Sequence, residues 1–215
     1  MEVPPERSAP AAAPEFAYPD GVAAPRKQPL QERARATVAA ILQATLQVLD
    51  EAGVDRLTTT RVADIAGVSV GTLYQYFPNR DALLNAVLAD HLEHAIGAVE
   101  RAAAAAASAG LPRREAVEMI ARAFLAAKAT RVVAARIMNK AFGAGLLDER
   151  PLVAAIVRRA HVAVAPIVGD LETAQLACAA LEGMVRAAVD ADPARLADPA
   201  WVDQVVRIAT AALAP

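Results

Sequence analysis

Apolar residues recur at spacings of three and four along most of the chain, the pattern of helices that each bury one face. Between Arg33 and Ala52 the stripe is Val38, Ile41, Leu42, Leu46 and Leu49. Gly53 is placed to stop that helix, because glycine accepts the left-handed conformation that closes many helices. Thr58 is a suitable N-cap for a short helix to Ala66, expected to be buried through Val62, Ile65 and Ala66 and to end at Gly67. Ser69 is a second N-cap, opening a short helix over 70–77 that Pro78 cannot extend. Asn79 then caps a longer helix, carried by Leu83, Leu84, Val87, Leu88, Leu92, Ile96 and Val99 to about Ala107. Four or five more helices are expected, near 114–130, 131–141, 150–168, 172–189 and 199–213, separated by glycines and prolines. Pro166 falls inside the third of these, which predicts a kink or an early end.

Residues 1–29 do not fit this pattern. Half of the chain's 14 prolines lie before Leu30, so this stretch reads as a disordered or extended tail. Arg26, Lys27, Arg33 and Arg35 place four cations around its end against one acid, Glu32, which suits either a solubilising lead-in or a basic arm. We therefore divide the chain into a tail at 1–29, a helical domain at 30–84 and a second helical domain at 85–215.

Composition narrows the class. The 215 residues are 56 % hydrophobic but only 4 % aromatic, with abundant alanine, which favours an all-α fold over a sandwich or barrel. A single cysteine, Cys178, excludes an internal disulfide and a cysteine-cluster metal site. Charge-free apolar stretches such as 160–169 are shorter than the ~18 residues of a spanning helix, so no membrane segment is expected and the location expected is cytoplasmic. With 22 Lys and Arg against 24 Asp and Glu, the net charge of -2 excludes nucleic-acid binding by bulk positive charge. It leaves room for a few cations placed locally.

The informative stretch is 57–84, LTTTRVADIAGVSVGTLYQYFPNRDALL. Two short helices joined through Ala66-Gly67-Val68-Ser69 form a helix-turn-helix, with Val62, Ile65, Val68 and Leu73 expected to fill the wedge between them. The second helix is then expected to present Val70, Gly71, Thr72, Gln75 and Tyr76, which are small or uncharged. A major groove about 12 Å wide admits such a helix, and Gly71 and Thr72 let its first turn approach base edges. Gln75 can pair with an adenine edge, and Thr72 or Val70 can touch a thymine methyl. Tyr74, Tyr76 and Arg80 are placed for phosphates, and the helix starts at Thr58, Thr59 and Ser69 add amide donors.

From about Arg33 to Leu84 the chain resembles the DNA-binding domain of the tetracycline repressor (TetR) family of bacterial regulators. The resemblance rests on Ile41-Leu42, Gly53, Thr58-Thr59, Val62-Ala63, Ala66-Gly67-Val68-Ser69, Gly71-Thr72-Leu73-Tyr74, Tyr76-Phe77 and Leu83. It covers about a quarter of the chain. It implies an Ω-shaped homodimer of all-helical subunits whose repression is relieved by a small molecule in the carboxy-terminal domain. It also implies phosphate contacts at Tyr74, Tyr76 and Arg80 and base contacts at Val70, Gly71, Thr72 and Gln75. Val38 departs from the family, where arginine is frequent, so a phosphate contact there falls to Arg33 or Arg35.

Over 26–94 seven cations face eight acids, so binding requires cations sided toward DNA and acids such as Asp50 and Asp90 turned away. In the second domain Met119, Phe124, Arg136, Met138, Phe142 and His161 are candidates for a ligand pocket, although ordinary core packing accounts for most such residues. Two faces are candidates for a dimeric four-helix bundle: Leu176, Ala177, Ala180, Met184 and Ala187, and Val202, Val205, Val206, Ala209 and Leu213. Two-fold symmetry would match a palindromic double-stranded operator. His91 and His94 lack a third ligand, so no metal is expected, and neither a nucleophilic site nor a phosphate loop is visible, so neither catalysis nor a cofactor is expected. The competing reading is a helical enzyme or ligand carrier with a non-functional helix-turn-helix.

Overall fold

A computed structural model describes residues 32–143 and 151–213, so the proline-rich tail lies outside the described residues. Every regular element among them is helical. The helices are α1 (Glu32–Ala52), α2 (Thr59–Ala66), α3 (Val70–Tyr76), α4 (Arg80–Ser108), α5 (Arg113–Ala129), α6 (Val132–Gly143), α7 (Pro151–Val168), α8 (Leu171–Ala191) and α9 (Pro199–Ala212). Two 3-10 turns, Val54–Arg56 and Pro193–Ala197, link α1 to α2 and α8 to α9.

Local chemistry sets the boundaries. Thr58 accepts a hydrogen bond from the Arg61 amide, Ser69 from Thr72, Asn79 from Ala82 and Asp170 from Thr173, so each cap meets an amide that the first turn leaves without a helical partner. Gly67 ends α2 at φ 67°, and its amide returns to the carbonyls of Ala63 and Asp64. That left-handed turn swings α3 across α2. Gly53 follows α1 at φ 77° and ψ 177°, a positive-φ turn outside the left-handed helical region, with its amide donating to the Leu49 carbonyl.

Ile41, Val48, Leu57, Val62, Leu73, Phe77 and Leu83 are fully or almost fully buried and join α1 to α4 in one core. The core continues without a break along α4 into α5, α7 and α8. The division drawn after residue 84 therefore falls inside α4, which spans both parts as a single 29-residue helix. Pro166 lies in the last turn of α7, which continues to Val168, so the early end expected there does not occur.

Helix α7 also corrects the expectation about membrane segments. Its 18 residues, with mean hydropathy 1.5, meet the length and apolarity of a spanning helix. Within the subunit, however, Leu152, Ile156, Ala160, Val164 and Val168 are buried, and Arg159 pairs with Glu93 at 2.6 Å and Glu100 at 2.6 Å on α4. Those two carboxylates raise the pKa of the Arg159 guanidinium above its ordinary value. One face of the helix packs into the core in this way, while Val162 on another face is 56 % exposed.

Candidate functional site

The first candidate site is the helix-turn-helix. Leu73, Tyr76 and Phe77 turn inward from α3 and its C-cap, leaving Gly71, Tyr74 and Gln75 exposed and Val70 and Thr72 half-buried. Two expectations are corrected here. Tyr76 is only 9 % exposed and belongs to the core rather than to the presented face. Ile65 is 38 % exposed and does not fill the wedge, which Val62 and Leu73 fill at 0 % exposure.

The presented face is fixed by hydrogen bonds. Ser69 Oγ accepts the Thr72 amide at 2.9 Å and shares a second bond, at 2.8 Å, with the Thr72 hydroxyl. The Tyr74 hydroxyl lies 3.1 Å from Thr59 Oγ1, tying the start of α2 to the middle of α3. Thr58, Arg80 and Arg35 are exposed, and Arg33 lies in α1 with its side chain outside the described residues. Val38 is half-buried against the core, which explains an apolar residue at that position.

Gly71 is informative because the fold does not require it. A Cβ there would meet Ser69 Oγ at 3.7 Å, an ordinary contact, and its backbone is not left-handed. Glycine is costlier than alanine in a helix. Its presence on an exposed first turn therefore points to something outside the subunit that needs the space.

Charge around this domain is rebalanced from later in the chain. Arg136 of α6 hydrogen-bonds Asp50, Arg131 pairs with Asp90 at 2.5 Å, and Arg159 pairs with Glu93. Adding these three cations, and Glu100 as the second partner of Arg159, to the seven against eight counted over 26–94 gives ten against nine. Asp50 and Asp90 are thus offset by ion pairs. Arg61 is engaged with Glu51 at 3.1 Å. Arg136, expected at a pocket, is instead part of this tie between α1 and α6.

The second candidate site is an apolar cavity of about 470 Å³ between α4, α5, α6, α7, α8 and α9. Of the expected pocket residues, Phe124, Met138 and His161 line it. Met119 does not: it is 37 % exposed, one position out of register with the buried Ile120. Phe142 has its side chain outside the described residues. His161 is pushed below its ordinary pKa by burial, so its imidazole is neutral near pH 7. Burial, reinforced by the Glu182 carboxylate, raises the Cys178 thiol to about 11, leaving it protonated.

Sequence reasoning missed the charged wall of this cavity. Lys128 is 2 % exposed, 3.0 Å from Glu182 Oε1, with its ammonium 5.2 Å from the centre of the Phe124 ring. Its signal was present, since Lys128 follows Ile120 and Phe124 at intervals of four on the buried face of α5.

Beside the cavity, His91 is buried with no hydrogen-bond partner on either ring nitrogen. Burial, with Lys128, Arg131 and His94 adding to it, lowers its pKa to about 3. No cluster of three or more metal-ligating side chains occurs among the described residues. His94 is hydrogen-bonded to Thr130 at 3.1 Å.

The described residues thus combine a capped helix-turn-helix with an all-helical body that holds a partly open apolar pocket. Residues 41–87 match the model of the tetR family of bacterial regulatory proteins, so over this domain the chain is similar to that family. Over 60 residues, 26 % of this chain, it is 40 % identical to the class A tetracycline repressor protein from transposon 1721 of Escherichia coli, matching 28 % of that protein. Over 79 residues, 37 % of this chain, it is 38 % identical to the HTH-type transcriptional regulator BetI of Burkholderia mallei, matching 40 % of it. The chain thus spans well under half the length of these curated relatives. The fold likeness extends further. The fatty acid degradation regulator FadR from Bacillus halodurans superposes with a TM-score of 0.62 at 16 % identity, over 80 % of this chain and 97 % of that one.

Proposed function

We propose that the protein is a sequence-specific, DNA-binding transcriptional regulator acting in the cytoplasm as a homodimeric repressor, released from a palindromic operator by a small molecule. The observation that carries this reading is the outer face of α3, where Gly71, Tyr74 and Gln75 are exposed and Ser69 and Thr59 hold their neighbours in place. In this reading α3 enters the major groove. Val70, Gly71, Thr72 and Gln75 meet base edges, Thr72 through its methyl because Ser69 engages its hydroxyl. Tyr74, Arg80, Arg35, Arg33 and the helix starts at Thr58, Thr59 and Ser69 meet phosphates. Tyr76 acts from the core, holding α3 rather than reaching DNA with its ring.

Dimerisation is assigned to α8. Leu176, Ala180, Gly183 and Ala187 are exposed at spacings of four, three and four, with Leu176 67 % exposed. On α9, Val205 and Val206 are buried within the subunit and Val202, Ala209 and Leu213 are half-buried, so that face is largely engaged internally, and the large exposed apolar residue is Ile208 at 49 %. Small residues on α8 permit close helix approach between two copies.

Helix α4 supplies the link between the sites. Arg80 begins it beside α3, and Leu92, Ala95, Ile96 and Val99 line the cavity, Ile96 about 24 Å along the helix at 1.5 Å per residue. A ligand that favours one setting of α4 changes the spacing of the two α3 helices, and only its differential affinity for the two settings drives release. The test is operator binding by Gln75→Ala. It is expected to lose about 1–3 kcal/mol and relax sequence preference at one symmetric pair of positions. Unchanged preference would assign base reading elsewhere.

A further inference from the structure

The charged wall of the cavity says what kind of molecule fits it, and the inference rests on the cavity being the ligand site. Its walls are hydrocarbon over most of their extent, from Leu92 and Ile96 through Val117, Ile120 and Phe124 to Val164. Three charged side chains line it: Lys128, Arg186 and Glu182.

Lys128 holds the distinctive position. A lysine ammonium has three N–H donors. Here the bond to Glu182 at 3.0 Å meets one of them, and the face of Phe124 offers a weaker cation–π contact. Burying an ammonium with only one acceptor is expensive, so a second acceptor brought by a ligand is favoured. Glu182 is more open than its partner, with 34 % of its side chain exposed against 3 % for Lys128. It can yield the ammonium and return to water. A cationic ligand would instead meet the buried Lys128 ammonium.

We propose that the cavity selects amphipathic monocarboxylates, with a hydrocarbon body among the apolar walls and the carboxylate seated on the Lys128 ammonium. Glu182 is the internal competitor that occupies Lys128 when the ligand is absent.

The test uses the full chain and three probes of equal chain length, decanoate, 1-decanol and decylamine, each below its micelle concentration, with dissociation constants from calorimetry. Decanoate is expected to bind at least about tenfold tighter than decanol, the difference made by a charge-assisted hydrogen bond in a buried site, with decylamine weakest. Lys128→Met is expected to remove the preference for decanoate while decanol still binds, which shows that the cavity and fold survive. Glu182→Gln is expected to tighten decanoate, because the competitor is gone. A purely structural ion pair would show no such opposite response. Equal affinity for decanol and decanoate, or a preference that persists in Lys128→Met, overturns the carboxylate assignment. Failure of all three probes to bind either the native chain or Glu182→Gln overturns the ligand-site reading beneath it.

Discussion

Replacing Gly71 by alanine separates what the subunit needs from what a partner needs. The added Cβ finds Ser69 Oγ at 3.7 Å and nothing nearer, so the substitution introduces no clash inside the protein. In an ordinary helical conformation alanine restricts the unfolded chain more than glycine and has the better helix propensity. The gain is about 0.5–1 kcal/mol, nearer the lower figure in a first turn. For a chain of this size that corresponds to a rise in Tm of about 1–4 °C. On DNA the same methyl occupies the space through which the first turn of α3 approaches the groove floor. Displacing that turn costs on the order of one good base contact, about 1–3 kcal/mol, or about 5- to 150-fold in affinity. Thermal unfolding and fluorescence anisotropy on the selected operator are to be measured side by side. The reasoning predicts opposite signs: a stabler protein that binds more weakly. A variant that is stabler and binds equally well would refute close approach at Gly71. One that is less stable would show that the glycine serves the fold.

Four further outcomes are expected. His91 lies buried with a pKa near 3, against 6.5 when unfolded, so the unfolded state gains its proton first as pH falls. Stability is then intact above pH 6.5 and is lost by about 1.4 kcal/mol per pH unit between 6.5 and 3 on this account alone; urea unfolding at pH 7 and pH 5 should show a visibly flatter dependence for His91→Leu. Leu176→Arg, at a 67 % exposed position, should give folded monomers in sedimentation velocity, whereas an unchanged dimer would place the interface elsewhere. Phe77→Ala, at 1 % exposure, should destabilise by about 3–5 kcal/mol in denaturant titration. The plot of log K against log salt should be shallower than a slope of about −10, since cations in and around this domain barely outnumber its acids; a steeper slope would mean that the ten-against-nine balance does not describe the bound face.

The helical architecture was legible because it rests on local signals. Ser69, Asn79 and Thr58 announce caps, Gly53 and Gly67 announce stops, and the structure uses all five in those roles. Periodicity locates a face but not its centre, which is why Met119 was expected inward when its neighbour Ile120 is the buried residue. The same one-step ambiguity affects Ile65 and Tyr76, because a seven- or eight-residue helix offers too few turns to fix which residues face the core. Pairings between distant segments, such as Arg136 with Asp50 and Lys128 with Glu182, depend on how helices 54 to 86 residues apart in sequence come together. No local pattern encodes them. They are also the contacts that give the cavity its charge and offset the acids of the first domain.

The central claim is that α3 reads sequence in duplex DNA as one of a symmetric pair. Selection of bound molecules from a random duplex library tests it most directly, with the full chain at physiological salt. The account predicts enrichment of an inverted repeat whose half-sites lie on one side of the duplex, and loss of that enrichment when Gln75 and Tyr74 are both replaced by alanine. Recovery of an unenriched pool, or of the same repeat with the double variant, would contradict it.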